Sequence, residues 1–263
     1  MIAEIISIGS ELVSGQGLDT NSQWLSRALG GVGIAVHFHT TLGDDLDENV
    51  AAFRVAIARA GLVLMTGGLG PTQDDLTRDA LALVAGVPLV EDPESLHAVA
   101  ALFARRNRVM PERNRVQALV PLGAEALPNR VGTAPGLWMT IGRAVVGCMP
   151  GVPSEMHIMF AEQVIPRLRG LGAITRVIVH RKINLFGKGE SDIEADALDL
   201  TARGRTPEVG ITAHDATISF RIAAEGNDEV EARRALEPTL ALIRERFGDL
   251  VIGEGTQDVA EAL

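Results

Sequence analysis

Residues 62–85 read LVLMTGGLGPTQDDLTRDALALVA. The stretch begins with an apolar run that is typical of a buried strand and ends with apolar residues at helical spacing. Between the two lies a loop with three glycines in four residues, Gly67, Gly68 and Gly70, followed by Pro71. A strand that passes through such a loop into a helix is the repeating unit of a parallel α/β sheet. We therefore expect an α/β fold.

The same alternation continues on both sides of this stretch. It predicts strands over residues 2–8, 33–40, 62–65, 87–90, 137–141 and 144–149, and helices over 21–29, 46–60, 76–85, 92–106 and 154–168. This order predicts a three-layer α/β/α domain with a mostly parallel sheet over residues 1–170. The run from Trp138 to Cys148, broken at a central glycine, predicts an antiparallel hairpin. Asp92 followed by Pro93 predicts a capped helix start.

A change in element order after residue 170 predicts a second domain. A glycine break, Gly170-Leu171-Gly172, follows the last helix of the first domain. The pattern then predicts a strand over 175–185, a helix over 191–200, strands over 208–213 and 217–223, and a helix over 228–247. We interpret this order as a small α+β domain over residues 171–252. Residues 253–263 have the pattern of a helix start, which indicates either a third domain that this chain lacks or an ordinary C-terminal tail.

The composition limits the class of protein. Of the 263 residues 46% are hydrophobic, which is enough for a folded core, and the formal net charge is −10. Neither predicted domain has an excess of basic residues, so we do not expect nucleic acid as a partner. No apolar run approaches the ~18 residues of a membrane span, and no secretion signal opens the chain. The single cysteine, Cys148, is expected to be a core residue of a cytoplasmic protein rather than a nucleophile.

Loops rich in glycine, proline and carboxylates follow four of the predicted strands. Ligands of open α/β sheets bind beyond the carboxyl ends of the strands, so these loops should meet in one crevice. The residues that we expect to line it, with Asn21 from the following helix, are Ser10, Glu11, Asn21, Asp44, Gly67, Gly68, Gly70, Pro71, Thr72, Asp74, Asp75, Pro150, Gly151, Pro153 and Glu155.

The loop after the third strand carries two opposing signals. The backbone N–H groups of its glycines, the Thr72 hydroxyl and the helix N-terminus should hold a diphosphate. The adjacent carboxylates of Asp74 and Asp75 would repel the same anion. A divalent cation removes the conflict, because hard cations take oxygen ligands from both carboxylate and phosphate. We therefore predict Asp44 and Asp74 as metal ligands and Asp44, Asp74 and Asp75 as catalytic residues. Alternatively, one aspartate of the pair caps the following helix.

Other motifs give weaker signals. The chain has no P-loop and no G-x-S-x-G elbow. His37 and His39 share one face of a predicted strand, and we expect them to be packing residues rather than metal ligands. The arginine-rich segment over residues 105–115 is either a phosphate contact or a solvated helix face.

The loops also carry a family resemblance. The residues that show it are Ser10-Glu11 with Gly15, 19–22, 43–45, 66–77, Met110-Pro111, Asn114, Gln117-Ala118, Asn129, 132–136, 150–156, 187–191 and Phe220-Arg221. Together they resemble the competence/damage-inducible protein A (CinA) family, and the match covers essentially the whole chain. Residues 1–170 resemble its molybdopterin-binding-like domain, and residues 171–252 resemble its KH-like middle domain. The related molybdenum-cofactor proteins usually have threonine at the position of Leu69, which favours the CinA branch.

The resemblance implies an activity. Members of the family hydrolyse the pyrophosphate bond of ADP-ribose with a divalent metal ion, giving AMP and ribose 5-phosphate. A homodimer is expected from the family, and its C-terminal amidase domain should be absent from this chain. Lys188 stands where the family usually has an apolar residue, and it is either a phosphate contact or an exposed side chain. The second domain has no G-x-x-G motif, so RNA binding of the KH type is not supported.

Two alternatives use the same loops. One is molybdopterin binding or adenylyl transfer in molybdenum cofactor biosynthesis. The other is a nucleotide-binding module without catalytic activity. All three hypotheses place a phosphate-bearing small molecule in the crevice, so they share the predicted site residues.

Overall fold

The first part of the chain builds a sheet whose central strands are parallel. The computed structural model describes residues 1–214 and 217–255. Its strands before residue 173 are β1 (Ile2–Ile8), β2 (Ala35–Leu42), β3 (Leu62–Thr66), β4 (Leu89–Glu91), β5 (Leu119–Pro121), β6 (Glu125–Leu127), β7 (Gly136–Ile141) and β8 (Ala144–Met149). The main sheet has the order β2-β1-β3-β8-β7-β6, and β4 pairs with β5. Strands β2, β1, β3 and β8 are parallel, whereas β6, β7 and β8 pair antiparallel. The mostly parallel α/β sheet and its hairpin are thus confirmed.

Helices connect these strands. They are α1 (Ser10–Val13), α2 (Thr20–Gly31), α3 (Leu46–Arg59), α4 (Thr77–Ala85), α5 (Pro93–Arg105), α6 (Pro153–Met159) and α7 (Ile165–Gly170). Asp92 caps α5 as predicted, because its Oδ2 accepts the N–H of Ser95 at 2.8 Å. The prediction of one continuous helix over 154–168 is wrong, since a π-helical turn, Phe160–Val164, separates α6 from α7. Pro166 has no N–H to donate to the preceding turn, which disfavours an uninterrupted α-helix there.

The core of this sheet is apolar on both faces. Every residue of β3 and of β8 is buried, as expected for parallel strands covered on both sides. Cys148 is fully buried in β8, and its Sγ lies 3.7 Å from Sδ of Met65. Burial raises the pKa of the Cys148 thiol to about 12. The expectation that Cys148 is a core residue is confirmed.

The second part of the chain forms an antiparallel sheet with helices. Its elements are β9 (Val177–Leu185), α8 (Glu190–Asp196), β10 (Glu208–His214), β11 (Thr217–Gly226), α9 (Glu229–Phe247) and β12 (Val251–Glu254). The strand order is β10-β11-β9-β12. The helix predicted to start at residue 253 is wrong at its first two positions, because Gly253 and Glu254 pair with β9 as part of β12. Residues 256–263 of that predicted helix lie outside the described residues.

The two parts are separate compact units. One comprises Met1–Gly30 with Ile34–Ala173, and the other Gly31–Gly33 with the residues from Ile174 onward. In residues 1–214 and 217–255, no helix is both long enough and apolar enough to span a membrane. The predicted site residues other than Lys188 all belong to the first unit.

Candidate functional site

A cleft of about 400 Å³ lies beyond the carboxyl ends of β1, β3 and β8. Its lining residues are Ile8, Gly9, Glu11, Asp44, Gly67, Gly68, Leu69, Gly70, Pro71, Thr72, Asp74, Asp75, Gln117, Thr133, Ala134, Pro150, Gly151, Val152 and Glu155. The structure therefore brings the four loops together. The catalytic and binding roles of these residues stay predictions.

Four of the predicted residues do not line this cleft. Ser10 is an exposed residue next to a lining residue in the chain, and it donates from its N–H and its hydroxyl to Asp44. Asn21 and Pro153 line an adjoining pocket of about 150 Å³. Lys188 belongs to the second unit, where its ammonium forms an ion pair with the last residue of α8.

The side chains around the cleft are negative. Its lining includes the carboxylates of Glu11, Asp44, Asp74, Asp75 and Glu155, and it includes no lysine, arginine or histidine. An anionic ligand therefore meets carboxylates on every loop and no cationic side chain. This imbalance is the dominant electrostatic feature of the site.

The glycine loop, residues 67–70, packs against the ends of the neighbouring strands. Gly67 and Gly68 have φ angles of +104° and +65°, which favour glycine. A Cβ on Gly67 would collide with the carbonyl oxygen of Ile8. The N–H of Gly67 donates to the carbonyl of Met149 at 3.1 Å, and its carbonyl accepts from the Thr77 hydroxyl at 2.9 Å. The loop is thus hydrogen-bonded to β8 and α4 and lies close to the end of β1.

The loop offers fewer free donors to an anion than the sequence predicts. The N–H of Gly67 is already bonded, and Asp75 accepts the N–H groups of Gly70 at 2.7 Å and Thr72 at 2.8 Å. The Thr72 hydroxyl also donates to carboxylates rather than facing an anion. In this conformation these groups already have acceptors within the protein, and their binding of a diphosphate stays a prediction. Among the described residues, only those at 68 and 69 in this glycine segment keep N–H groups without an acceptor.

Asp75 stabilises the loop that precedes it and does not cap the helix that follows. Its two carboxylate oxygens bind donors at Gly70 and Thr72. The N-cap of α4 is Leu76, which has no side-chain hydrogen bond, so the expected aspartate cap is absent there. The turn at Pro71 leaves backbone donors unpaired, and the nearest carboxylate satisfies them.

Arg78 supports the loop from beneath. It is buried, and its Nη1 and Nη2 donate at 2.7 Å to the carbonyls of Leu69 and Gly70. Burial lowers the pKa of its guanidinium, and the negative charges of Asp75 and Asp79 oppose that shift. The sequence analysis did not identify Arg78, because an arginine between Thr77 and Asp79 in the first turn of a helix has the pattern of an exposed position.

Asp44 and Asp74 have the free oxygens that a hard cation needs. Oδ2 of Asp44 accepts from the N–H of Ser10 at 2.9 Å and from its hydroxyl at 2.6 Å, and Oδ1 makes no hydrogen bond within the described residues. Asp74 accepts the Thr72 hydroxyl on Oδ1 alone. This hydrogen bond holds the pKa of Asp74 below its usual value, so the carboxylate stays ionised. These oxygen donors fit a hard divalent cation that is completed by phosphate and water.

The protein does not preassemble a full ligand set. In residues 1–214 and 217–255, no three or more histidine, cysteine, aspartate or glutamate side chains are grouped closely enough to hold a metal ion. His39 shares a 2.7 Å hydrogen bond with Ser26. None of the arginines over 105–115 lines the cleft.

Glu155 is held at the opposite wall by Asn129. Nδ2 of Asn129 donates to Oε2 of Glu155 at 2.7 Å, and Oδ1 of Asn129 accepts the N–H of Gly132 at 2.8 Å. Oε1 of Glu155 makes no hydrogen bond within the described residues. Asn129 entered the sequence interpretation only through the family resemblance, because a single amide in a loop has no local signature.

Asn21 joins two of the loops. Its Nδ2 donates to the carbonyl of Gly151 at 2.8 Å and to the Thr66 hydroxyl at 3.1 Å. Thr66 in turn donates to the carbonyl of Pro150 at 3.0 Å. Asn21 thus links α2 to the end of β3 and to the start of α6, beside the cleft.

Comparisons with known proteins agree with this architecture. Residues 4–170 match the family described as "Probable molybdopterin binding domain", and residues 180–253 match the "Damage-inducible protein CinA KH domain". The chain is 42% identical over 267 residues to a "CinA-like protein" of Deinococcus radiodurans, covering 100% of this chain and 65% of that protein. It is 40% identical over 275 residues to a "CinA-like protein" of Frankia casuarinae, covering 100% of this chain and 62% of that protein. The chain thus spans less than two thirds of the length of these relatives.

A solved structure shows the same relationship. The crystal structure of the protein CinA with unknown function from Thermoplasma acidophilum superposes with a TM-score of 0.58 at 34% identity. The superposition covers 63% of this chain and 96% of that one. With its molybdopterin-binding-type first domain and its CinA KH domain, this chain belongs to the CinA family.

Proposed function

We propose that this chain hydrolyses the diphosphate bond of a small nucleotide such as ADP-ribose, in a reaction that requires a divalent metal ion. The observation that carries the proposal is the charge of the cleft, where five carboxylates and no cationic side chain surround free backbone N–H groups. A diphosphate enters such a cleft at a large electrostatic cost unless a cation accompanies it. A divalent cation between carboxylate and phosphate oxygens makes the combination favourable.

Asp44 and Asp74 are the residues that would hold the cation, through the carboxylate oxygens that lack hydrogen bonds. When bound, the cation supplies neutralisation of phosphate charge and a lowered pKa for bound water. The N–H groups of Gly68 and Leu69 would bind phosphate oxygens. Ser10 fixes the rotamer of Asp44, and Arg78 fixes the carbonyls of the glycine loop, so neither wall has to reorganise when the ligand enters.

Glu155 is the residue that we assign to proton transfer. Its Oε1 is free, and its Oε2 is fixed by Asn129, so the carboxylate is oriented while one oxygen stays available. In hydrolysis the oxygen of water bonds to one phosphorus, and the bond from that phosphorus to the bridging oxygen breaks. Glu155 takes one proton of the water, and the bridging oxygen leaves with the second phosphate. For ADP-ribose the products are AMP and ribose 5-phosphate.

The test is AMP release from ADP-ribose by the purified chain, with Mg²⁺, Mn²⁺, Co²⁺, Ca²⁺ or a chelator present. We expect AMP with at least one of these metals and none with the chelator. Asp74→Asn should abolish most of the release, whereas Asp47→Asn, an exposed aspartate on α3, is the matched control and should not. Wild-type rates in a folded Asp74→Asn variant would refute the assignment.

A second candidate function is molybdopterin binding or adenylyl transfer. The observation that favours it is the match of residues 4–170 to the molybdopterin-binding family. Molybdopterin with ATP, tested in parallel, should give no adenylylated product if the first proposal is right. Tight binding of ADP-ribose without turnover under any of the metals would instead favour a nucleotide-binding module.

A further inference from the structure

Gln117 brings an uncharged N–H donor to the reaction cleft. Among the described residues that line the cleft, it is the only one whose side chain carries N–H groups. It belongs to the 3₁₀ helix Glu112–Ala118 and is only 2% exposed. The amide of Gln117 is therefore a buried polar group at the wall of the cleft, and the partners of its nitrogen decide what it can bind.

Two neighbours fix the orientation of this amide. Its Oε1 accepts a hydrogen bond of 2.9 Å from Nδ2 of Asn114. Its Nε2 lies 3.5 Å from the carbonyl oxygen of Leu69, which is the outer limit of a hydrogen bond. Because a carbonyl oxygen can only accept, the nitrogen of the amide and not its oxygen faces the glycine loop.

The Gln117 nitrogen has donor capacity that the protein does not use. Nε2 carries two hydrogens, and the Leu69 carbonyl is its only acceptor among residues 1–214 and 217–255. That carbonyl already accepts a hydrogen bond of 2.7 Å from Arg78, so it does not depend on the longer contact. Buried amide groups normally use their hydrogens, because a buried donor without an acceptor is costly. The spare N–H of Gln117 therefore indicates an acceptor that a ligand supplies.

The surroundings of Gln117 favour an anionic acceptor. The backbone N–H groups of Gly68 and Leu69 have no acceptor within the described part of the chain, and Gln117 contacts Leu69 directly. Thr133, in the same cleft lining, has a hydroxyl without a hydrogen bond to any described residue. An amide suits this position, because a lysine or arginine would pair with the carboxylates of the cleft, whereas a neutral donor stays free for the ligand.

We propose that Nε2 of Gln117 binds a phosphate oxygen of the substrate and thereby selects a diphosphate over a monophosphate. The inference rests on the proposed function, since it takes a cation at Asp44 and Asp74 as given. The cation neutralises one phosphate, and the neutral donors at Gln117, Gly68 and Leu69 bind the other. Only a diphosphate uses both sets of ligands, whereas a monophosphate is held by the cation alone.

The probes for this proposal are α,β-methylene-ADP, a diphosphate whose P–C–P bridge resists hydrolysis, and AMP, a monophosphate. Both are titrated calorimetrically into the full chain with Mg²⁺ present. Gln117→Glu keeps an oxygen for Asn114 and replaces the donor with a carboxylate oxygen, so it should weaken binding of α,β-methylene-ADP tenfold or more. Gln117→Met removes the donor without adding a charge and should weaken it about tenfold. The affinity for AMP should change less than threefold in either variant.

A matched control and the second ligand separate a lost contact from a damaged fold. Gln23→Glu makes the same replacement at an exposed position of α2 and should leave both affinities unchanged. The proposal is overturned if α,β-methylene-ADP does not bind the wild type, if both Gln117 variants bind it as tightly as the wild type, or if they lose affinity for AMP to the same extent. Failure of the proposed function is a different result, namely no AMP release from ADP-ribose, because these titrations involve no hydrolysis.

Discussion

The adjacent aspartates Asp74 and Asp75, which follow the glycine loop, form different hydrogen bonds. Asp75 uses both oxygens to hold the N–H groups of Gly70 and Thr72, whereas the side-chain partner of Asp74 is the Thr72 hydroxyl, which Asp75 also contacts. The first arrangement maintains the backbone of the loop, and the second leaves an oxygen for a ligand. Substitutions at the two positions should therefore separate stability from chemistry.

Asp75→Ala should lower the free energy of unfolding by about 1–2 kcal/mol, because it leaves the partly buried N–H of Gly70 unpaired. Asp74→Ala should leave it nearly unchanged and lower the turnover of ADP-ribose by about a hundredfold or more. Urea denaturation and AMP release, measured on both variants, check this prediction. A stable Asp75→Ala variant together with an unstable Asp74→Ala variant would reverse the assignment.

Asn49 is a second residue whose bonding has a measurable consequence. It is fully buried in α3, and neither its Nδ2 nor its Oδ1 has a hydrogen-bond partner among residues 1–214 and 217–255. Asn49→Leu removes this desolvation penalty at similar volume, so we expect a gain of about 1–2 kcal/mol in the free energy of unfolding. Thermal denaturation would show it as a higher Tm.

Asn49→Asp provides the opposite test, because a carboxylate at this position would be buried without a cation. It should destabilise the protein strongly. If Asn49→Leu also lowered the Tm, the amide would have a partner such as a buried water, and the prediction would be wrong.

These residues also show what the sequence could reveal at this scale. The Asp92 cap was predictable because its partner lies three residues away and Pro93 marks the helix start. The bonding of Asp75 was not, because it depends on the path of the backbone around Pro71. The partners of Asn129 were hidden for a similar reason, since Glu155 is 26 residues away in the chain.

At the scale of elements, α4 carries the support of the site. Arg78 donates from α4 to two carbonyls of the glycine loop, and a buried guanidinium fork can do so in a fixed geometry. The loop therefore depends on a helix that contributes no residue to the chemistry.

Arg78→Ala should lower the free energy of unfolding by about 2–4 kcal/mol, because it leaves two carbonyl oxygens without their donors. Arg78→Lys should recover only part of this loss, since an ammonium does not reproduce the fork. Both can be measured by urea denaturation, with Arg54→Ala on the exposed face of α3 as the control. A lysine variant as stable as the wild type would contradict the role of the fork.

Elements with a clear period were predictable, whereas of the three-residue strands only β4, predicted over 87–90 and observed over Leu89–Glu91, was found. The buried strands β1, β3 and β8 show as apolar runs, and α5 shows as a capped amphipathic segment. The three-residue strands β5 and β6 were missed, because so few residues carry no periodic signal. The π-helical turn before α7 was missed although Pro166 marked the break.

At the scale of the whole molecule, part of the negative charge is concentrated in one cleft. In the sequence analysis, the formal net charge of −10 served only as evidence against nucleic acid as a partner. The fold gathers carboxylates from separate loops into one cleft without a cationic side chain. The need for a cation could be predicted for Asp74 and Asp75, which are adjacent in sequence. The presence of Glu155 in the same cleft was expected from the loop after the last strand, whereas its orientation by Asn129 depends on the assembled fold.

The chain has few groups that titrate at alkaline pH, so the pH dependence of its stability there can be assigned to a single group. It contains no tyrosine, one cysteine and, as lysines, only Lys182 and Lys188. Burial raises the pKa of the Cys148 thiol to about 12, from 9.0 in the exposed state. The folded chain therefore keeps the proton between these values, and the unfolded chain loses it.

The stabilising effect of this retained proton is complete below pH 9 and declines as the pH rises from 9 towards 12. The free energy of unfolding should fall by about 1.4 kcal/mol per pH unit in that interval from this group alone. Urea denaturation at pH 8, 9, 10 and 11 would measure the slope. Cys148→Ala should be less stable at pH 8, because it removes packed atoms, yet its slope above pH 9 should be smaller. The two lysines and the N-terminal amine are common to both chains, so the difference between the slopes isolates the thiol. An identical slope in the alanine variant would show that Cys148 does not control stability in alkali.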